Sequence, residues 1–160
     1  MTIAAKSGLL LGLALTISAA TTQAQGVMTT YPIGELKWVD GPATLPKGTK
    51  MVILEGDPAT AGVFTMRIKF PAGMIVSPHF HTQTEHATVI SGTLHIGIGE
   101  NFDKAATRAL PAGSFGFWSA GMKHFAWMEG ETVLQLHGQG PWTITYVNAA
   151  DDPRKAPGGK

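Results

Sequence analysis

The stretch GMIVSPHFHTQTEHATVISG, Gly73 to Gly92, decides how this chain folds. His79 and His81 stand two residues apart in it. Side chains alternate between faces on an extended backbone, so both rings project the same way. Their Cβ atoms then lie about 6–7 Å apart, and two imidazoles can meet on one cation at roughly 2.1 Å. Glu85 keeps that parity, although a turn over Thr82–Thr84 would break the count, and His86 opposes it.

A second stretch, GSFGFWSAGMKHFAW from Gly113 to Trp127, supplies His124 just after a turn at Gly121 and at the start of another strand. Three imidazoles and one carboxylate form a mixed nitrogen and oxygen set suited to borderline divalent metals: Mn, Fe, Co, Ni, Cu or Zn. Four protein ligands leave one or two positions for water or a substrate oxygen. We expect one divalent transition metal, with Mn, Fe, Ni and Zn as the candidates.

Around these stretches, short runs of Val, Ile, Thr and aromatics alternate with Gly and Pro. They predict strands near Glu35–Val39, Lys50–Glu55, Gly62–Phe70, His86–Ser91, Thr93–Gly99, Thr107–Leu110, Ser114–Trp118, His124–Met128, Thr132–Gly138 and Thr143–Val147. In one of them Phe64, Met66, Ile68 and Phe70 share a face. Turn chemistry separates the runs at Gly41-Pro42, Gly56-Asp57-Pro58, Pro71-Ala72-Gly73, Pro111-Ala112-Gly113 and Gly140-Pro141. Glu129-Gly130-Glu131 has the form of a hairpin tip, and one helical turn is expected around Asn101–Ala106. Many short strands at regular spacing argue for an all-β antiparallel sandwich or barrel.

The first 24 residues have the order of a secretory leader: a charge at Lys6, the apolar run Ser7–Ala20, and a small-x-small site ending at Ala24. The run is shorter than the roughly 20 residues a bilayer span needs. We therefore expect cleavage near Ala24-Gln25, a periplasmic or secreted location, and no membrane partner afterwards. The remaining organisation reads as a flexible segment 25–34, a barrel over 35–150 and a disordered tail 151–160. Cysteine is absent, so disulfides are excluded. Loss of Lys6 leaves eleven basic residues against eleven acidic ones, and no basic run suggests a nucleic-acid partner. Charged residues make up only 14% of the chain, which fits a surface partly covered in an oligomer.

Gly73, five residues, His79-x-His81, three residues, Glu85, six residues and Gly92 match the first motif of the cupin superfamily at every position. Gly113, five residues, Ser119-x-Gly121, two residues and His124 resemble its second motif. Ser119 stands where that family usually has Pro, and Met128 where it often has Asn. The resemblance is to the small, single-domain, secreted bacterial type. It implies a double-stranded β-helix, or jelly-roll barrel, with the metal held inside near one open end by His79, His81, Glu85 and His124. It also implies a small-molecule ligand or substrate and a homodimer. Cupins with this ligand set include dioxygenases, oxalate-active oxidases and decarboxylases, isomerases and dimethylsulfoniopropionate lyases.

Two readings of function follow. One is a metal-dependent enzyme, dioxygenase-like or another oxidoreductase, in which Glu85 also serves as the catalytic proton carrier. The other is a non-catalytic periplasmic module that binds or senses a small molecule or metal. Met66, Ile68, His95, Phe117, Met128 and His137 are the expected pocket residues. Ala126 and Met128 share the parity of His124 and should face inward; Phe125 and Trp127 should face outward under a covering strand or a partner. Arg67 and Lys69 oppose Met66 and Ile68, which places them outside and leaves the pocket without a carboxylate clamp. No tyrosine lies near the motifs as an acid.

Overall fold

The computed structural model describes residues 26–155. The expected leader, 1–24, and the end of the expected tail, 156–160, lie outside the described residues. Residues 26–30 are exposed and without regular structure. From Tyr31 onward the chain builds eleven strands: β1 (Val39–Asp40), β2 (Lys50–Glu55), β3 (Gly62–Phe70), β4 (Ile75–His81), β5 (Glu85–Ser91), β6 (Thr93–Ile98), β7 (Arg108–Pro111), β8 (Phe115–Trp118), β9 (His124–Met128), β10 (Thr132–Gly140) and β11 (Ile144–Tyr146). They form two antiparallel sheets, ordered β1-β2-β3-β10-β5-β8 and β11-β4-β9-β6-β7. This is the expected jelly roll. Among the described residues no helix is long and apolar enough to cross a membrane.

Period-two alternation puts one face of each strand into a shared core. Phe64, Met66, Ile68 and Phe70 of β3 are buried with Leu134 and Leu136 of β10 and with Ala87 and Val89 of β5. The opposing sheet contributes Val76, Leu94, Ala126, Met128, Ile144 and Tyr146. Burial of this apolar surface is the main drive to fold.

The alternation breaks once in β4. Val76 and His79 are three residues apart, yet both face the core, because the pairing with β9 shifts between them. Pro78 lies at the shift and has no N–H to give a ladder. The irregularity turns the histidine pair inward.

Some expectations are corrected. Glu129-Gly130-Glu131 is not a hairpin tip: β9 and β10 belong to different sheets, so this turn carries the chain across the barrel. The first expected strand contracts to Val39–Asp40, and Ile33–Glu35 forms a 3-10 turn closed by the Glu35 N–H on the Pro32 carbonyl, 2.9 Å. The first five residues of the segment read as a disordered tail form 3-10 turns; Asp152 is buried and accepts from the Arg154 guanidinium at 2.6–3.1 Å.

Gly92 makes the tight step from β5 to β6 at φ +76°. A Cβ there would overlap the Glu131 carbonyl oxygen and sit 2.5 Å from Thr132 Oγ1, and Thr132 is fully buried. Gly92→Ala therefore combines a left-handed backbone with overpacking against main chain. We expect a loss of roughly 3 kcal/mol, read as a lower urea midpoint at unchanged slope.

Candidate metal centre

His79 on β4 pairs directly with His124 on β9. His81 lies two residues along β4, opposite Ile144 of β11. Glu85 opens β5 in the other sheet, opposite Trp118 of β8. All four are buried. One ring nitrogen from each histidine lies within 4.8 Å of the others. The Glu85 carboxylate oxygen Oε2 stands 2.9 Å from His81 Nε2 and 3.4 Å from His124 Nε2. Two separated segments thus converge on one point inside the barrel.

The ring orientations are set by main chain. His79 Nδ1 donates to the Ser77 carbonyl at 2.8 Å, His81 Nδ1 to the Thr143 carbonyl at 2.9 Å, and His124 Nδ1 to the Met122 carbonyl at 2.9 Å. A carbonyl can only accept, so each Nδ1 carries the hydrogen and a neutral ring keeps its Nε2 lone pair. The three lone pairs then face one another, with the Glu85 carboxylate beside those of His81 and His124. His81 Nε2 is buried and lacks a hydrogen-bond partner among the described residues. Such a set is electrostatically unfavourable until a cation occupies its centre. One proton relieves one contact; a divalent ion satisfies the three imidazoles together.

The titration states agree. Burial, then the charges of His124 and His81, push His79 down to about 3, so it is neutral at ordinary pH. Burial opposes ionisation of Glu85, but when the neighbouring rings carry an Nε2 proton the hydrogen bonds and charge of His124 and His81 outweigh it and hold the carboxyl well below the ordinary carboxylate range. Neutral imidazole and ionised carboxylate are the forms that bind metals.

The donors line a cavity of about 50 Å³ walled by Leu45, Ile68, Trp118, Met128, Trp142 and Ile144, among others. That is room for a few waters. Trp118 stacks near His124 with centroids 5.7 Å apart, and Trp142 stacks on His81 at 4.1 Å. The Tyr146 ring lies 5.9 Å from His79, while its hydroxyl donates to the Thr44 carbonyl at 2.9 Å. The absence of a nearby tyrosine, expected from the sequence, is thereby corrected: β11 pairs with β4 and brings Tyr146 to His79. Burial, foremost, raises its phenol above the ordinary range and keeps it protonated.

Of the expected pocket residues, Ile68 and Met128 line this cavity, and Met66 lines a neighbouring one of about 250 Å³. His95, Phe117 and His137 do not. His95 pairs with Trp127 on the outer face and stacks on it at 3.8 Å, because Leu94 takes the inner position. His137 lies between inward Leu136 and Gly138 and stacks outside on His86 at 4.9 Å. Phe117 pairs with His86 on that same outer face and is 63% exposed.

Leu45, Trp118, Trp142 and Ile144 were missed. Trp118 opposes Phe117 in parity, a usable signal once Glu85 is known to pair with it. Leu45 and Trp142 sit in loops, where no periodicity exists. Arg67 and Lys69 do lie outside: Arg67 Nε donates to Gln135 Oε1 at 3.0 Å and Lys69 Nζ lies 4.8 Å from the Trp38 ring centroid. Among the described residues no Lys or Arg lines the metal-site cavity.

Comparison with known proteins places the chain in context. The family model described as the ChrR cupin-like domain matches residues 28–143. Germin-like protein 5-1 of Oryza sativa subsp. japonica is 34% identical over 74 residues, 46% of this chain. The chain spans about a third of that relative's length, 34%. Among solved structures, the polyketide cyclase RemF from Streptomyces resistomycificus superposes with TM-score 0.62 at 18% identity, covering 79% of this chain and 90% of the other. An acetylacetone dioxygenase from Acinetobacter johnsonii gives 0.59 at 18%, covering 84% and 86%. At these identities the likeness is one of fold.

Proposed function

Since this chain belongs to the ChrR cupin-like domain family, we propose that it is a metal-dependent enzyme, dioxygenase-like, acting on a small organic molecule. His79, His81, Glu85 and His124 would hold one divalent transition metal. The observation that carries this reading is the gathering of three histidine ring nitrogens within 4.8 Å of one another, each ring oriented by a main-chain carbonyl, with the Glu85 carboxylate beside two of them. A bound metal would supply Lewis acidity and, if redox-active, dioxygen chemistry. The dioxygenase among the fold relatives supports the second choice by analogy only.

The chain's own residues define the rest. The three rings fix the donor geometry. Trp118, Ile68 and Met128 exclude bulk water, which strengthens every electrostatic interaction inside. Glu85 is the one carboxylate among the described residues that line the cavity; moved off its donor position it accepts a substrate proton. We propose this activity for the periplasm or outside the cell, on the leader-like order of residues 1–24, and for a homodimer, on the low charge content.

A specific observation favours a second reading, a binding or sensing module: the cavity of about 50 Å³ holds an ion and its waters but no organic substrate until a wall moves. Elemental analysis of protein carrying the metal acquired during expression, followed by oxygen uptake against small diacids, thiols and phenols, separates the two. Iron or manganese with oxygen consumption is the expected result. Firmly held zinc without turnover across the panel would assign the protein to binding or sensing.

A further inference from the structure

One short crossover holds His81 in two ways. The chain passes from β10 to β11, and so from one sheet to the other, over residues 141–143. The Thr143 carbonyl accepts from His81 Nδ1 at 2.9 Å, and the Trp142 ring lies on the His81 ring with centroids 4.1 Å apart and 17° between planes. The two contacts restrain different motions. A hydrogen bond to a carbonyl tolerates a broad range of directions, so by itself it leaves the imidazole free to tilt about the N–H···O line. A flat ring laid nearly parallel on the imidazole blocks that tilt. Among the described residues neither His79 nor His124 has so close a parallel ring: Tyr146 lies 5.9 Å from His79 at 47°, and Trp118 lies 5.7 Å from His124.

The crossover is itself tied down. Thr82 Oγ1 donates to the Pro141 carbonyl at 3.1 Å and accepts from the Thr143 N–H at 3.2 Å. The Trp142 N–H donates to the Pro58 carbonyl at 2.8 Å. Thr82 directly follows His81 in the chain, so the donor and the residues that orient it are joined in a small closed circuit. The Thr82 side chain is exposed and adds nothing to the core.

We infer that Trp142 is a positioning residue for the metal: the flat face of its ring fixes the plane in which His81 offers Nε2, and Thr82 Oγ1 holds in place the crossover that carries that ring. The inference rests on the metal reading, in which His81 is a donor; the fixation of the ring is read without metal. Changes to groups that orient a metal ligand typically cost 10–100-fold in affinity. Trp142→Leu keeps apolar bulk and removes the flat face, so zinc affinity, measured by competition with a chelator, should fall about tenfold or more. Trp142→Phe restores a flat ring and should stay within about threefold of wild type. Leu and Phe both shorten the side chain, so lost volume alone predicts like losses for the two.

Cobalt(II) serves as a second probe metal, because its visible absorption bands follow donor geometry; they should shift in W142L and keep their wild-type positions in W142F. Thr82→Val is nearly isosteric, lies at the surface and cuts both hydrogen bonds to the crossover. It should lose several-fold in zinc affinity, and Thr82→Ser should restore it. In metal-free, 15N-labelled protein the His81 imidazole, assigned by its absence from His81→Ala, should show a single Nδ1–H tautomer with sharp ring resonances in wild type and W142F, and broadened ones in W142L. Unchanged zinc affinity and cobalt bands in W142L, or a loss in W142F equal to that in W142L, overturns the inference. Should W142L fail to fold, T82V decides: wild-type affinity there overturns it. A wild type that binds neither zinc nor cobalt would sink the metal reading instead, and equally sharp His81 resonances in wild type and W142L would then overturn the positioning role by themselves.

Discussion

Replacing His124 with alanine will empty the centre: metal content should fall from about one equivalent per chain to less than about a tenth. His124 is the one donor brought by the second motif, and it sits opposite His79 with ring centroids 4.2 Å apart. Its removal leaves two histidines of one strand and Glu85. Changes to groups that merely orient a ligand typically cost 10–100-fold in affinity, so loss of a donor should cost about 100-fold or more. The controls are His95→Ala and His137→Ala, whose rings stack outside the barrel. Both should keep full metal content. Elemental analysis after gel filtration reads all three. Metal retained by H124A, in a protein with a wild-type melting curve, would refute the centre.

The second large effect is on stability. Phe125→Ala should cost about 3–5 kcal/mol and lower the melting temperature by roughly 10–15 °C, while metal content measured at low temperature stays near that of wild type. Phe125 is 1% exposed but lies on the face of β9 opposite the donors. Its ring fills the place above Gly97 where a Cβ would stand, and Phe102 meets it edge-on at 5.4 Å. The segment between β6 and β7 thus folds over the outer wall. Lys104 Nζ lies 3.8 Å from the Trp127 ring centroid, and Trp127 Nε1 donates to Thr107 Oγ1 at 3.1 Å. Calorimetry with and without metal distinguishes this loss from a failure of the centre.

These two residues show what the sequence could and could not tell. The parity of His79 and His81 was readable because two side chains two apart on a strand must share a face. His124 came from spacing after Gly121. Phe125 was correctly turned away from the barrel interior and expected under a cover, but the cover is neither a strand nor a partner: it is the segment with Phe102 and Lys104, a loop without periodicity. Glu129-Gly130-Glu131 reads alike for a hairpin and for a crossover; only long-range pairing separates them. Phe117 failed for the same reason. Alternation put it on one face with Phe115, but which face looks inward depends on its pairing with His86. Trp142 and Leu45 had no pattern to betray them.

The main-chain anchoring of the three imidazoles bears on how such a centre tolerates drift. Ser77, Met122 and Thr143 each hold a ring through a carbonyl, a group every amino acid carries. Exchanging these side chains leaves the acceptor in place provided the local path of the chain is kept. A mutational scan should therefore find silent positions beside the three histidines where side-chain anchoring would have produced intolerant ones, and descendants can rewrite these neighbours without disturbing the ring geometry.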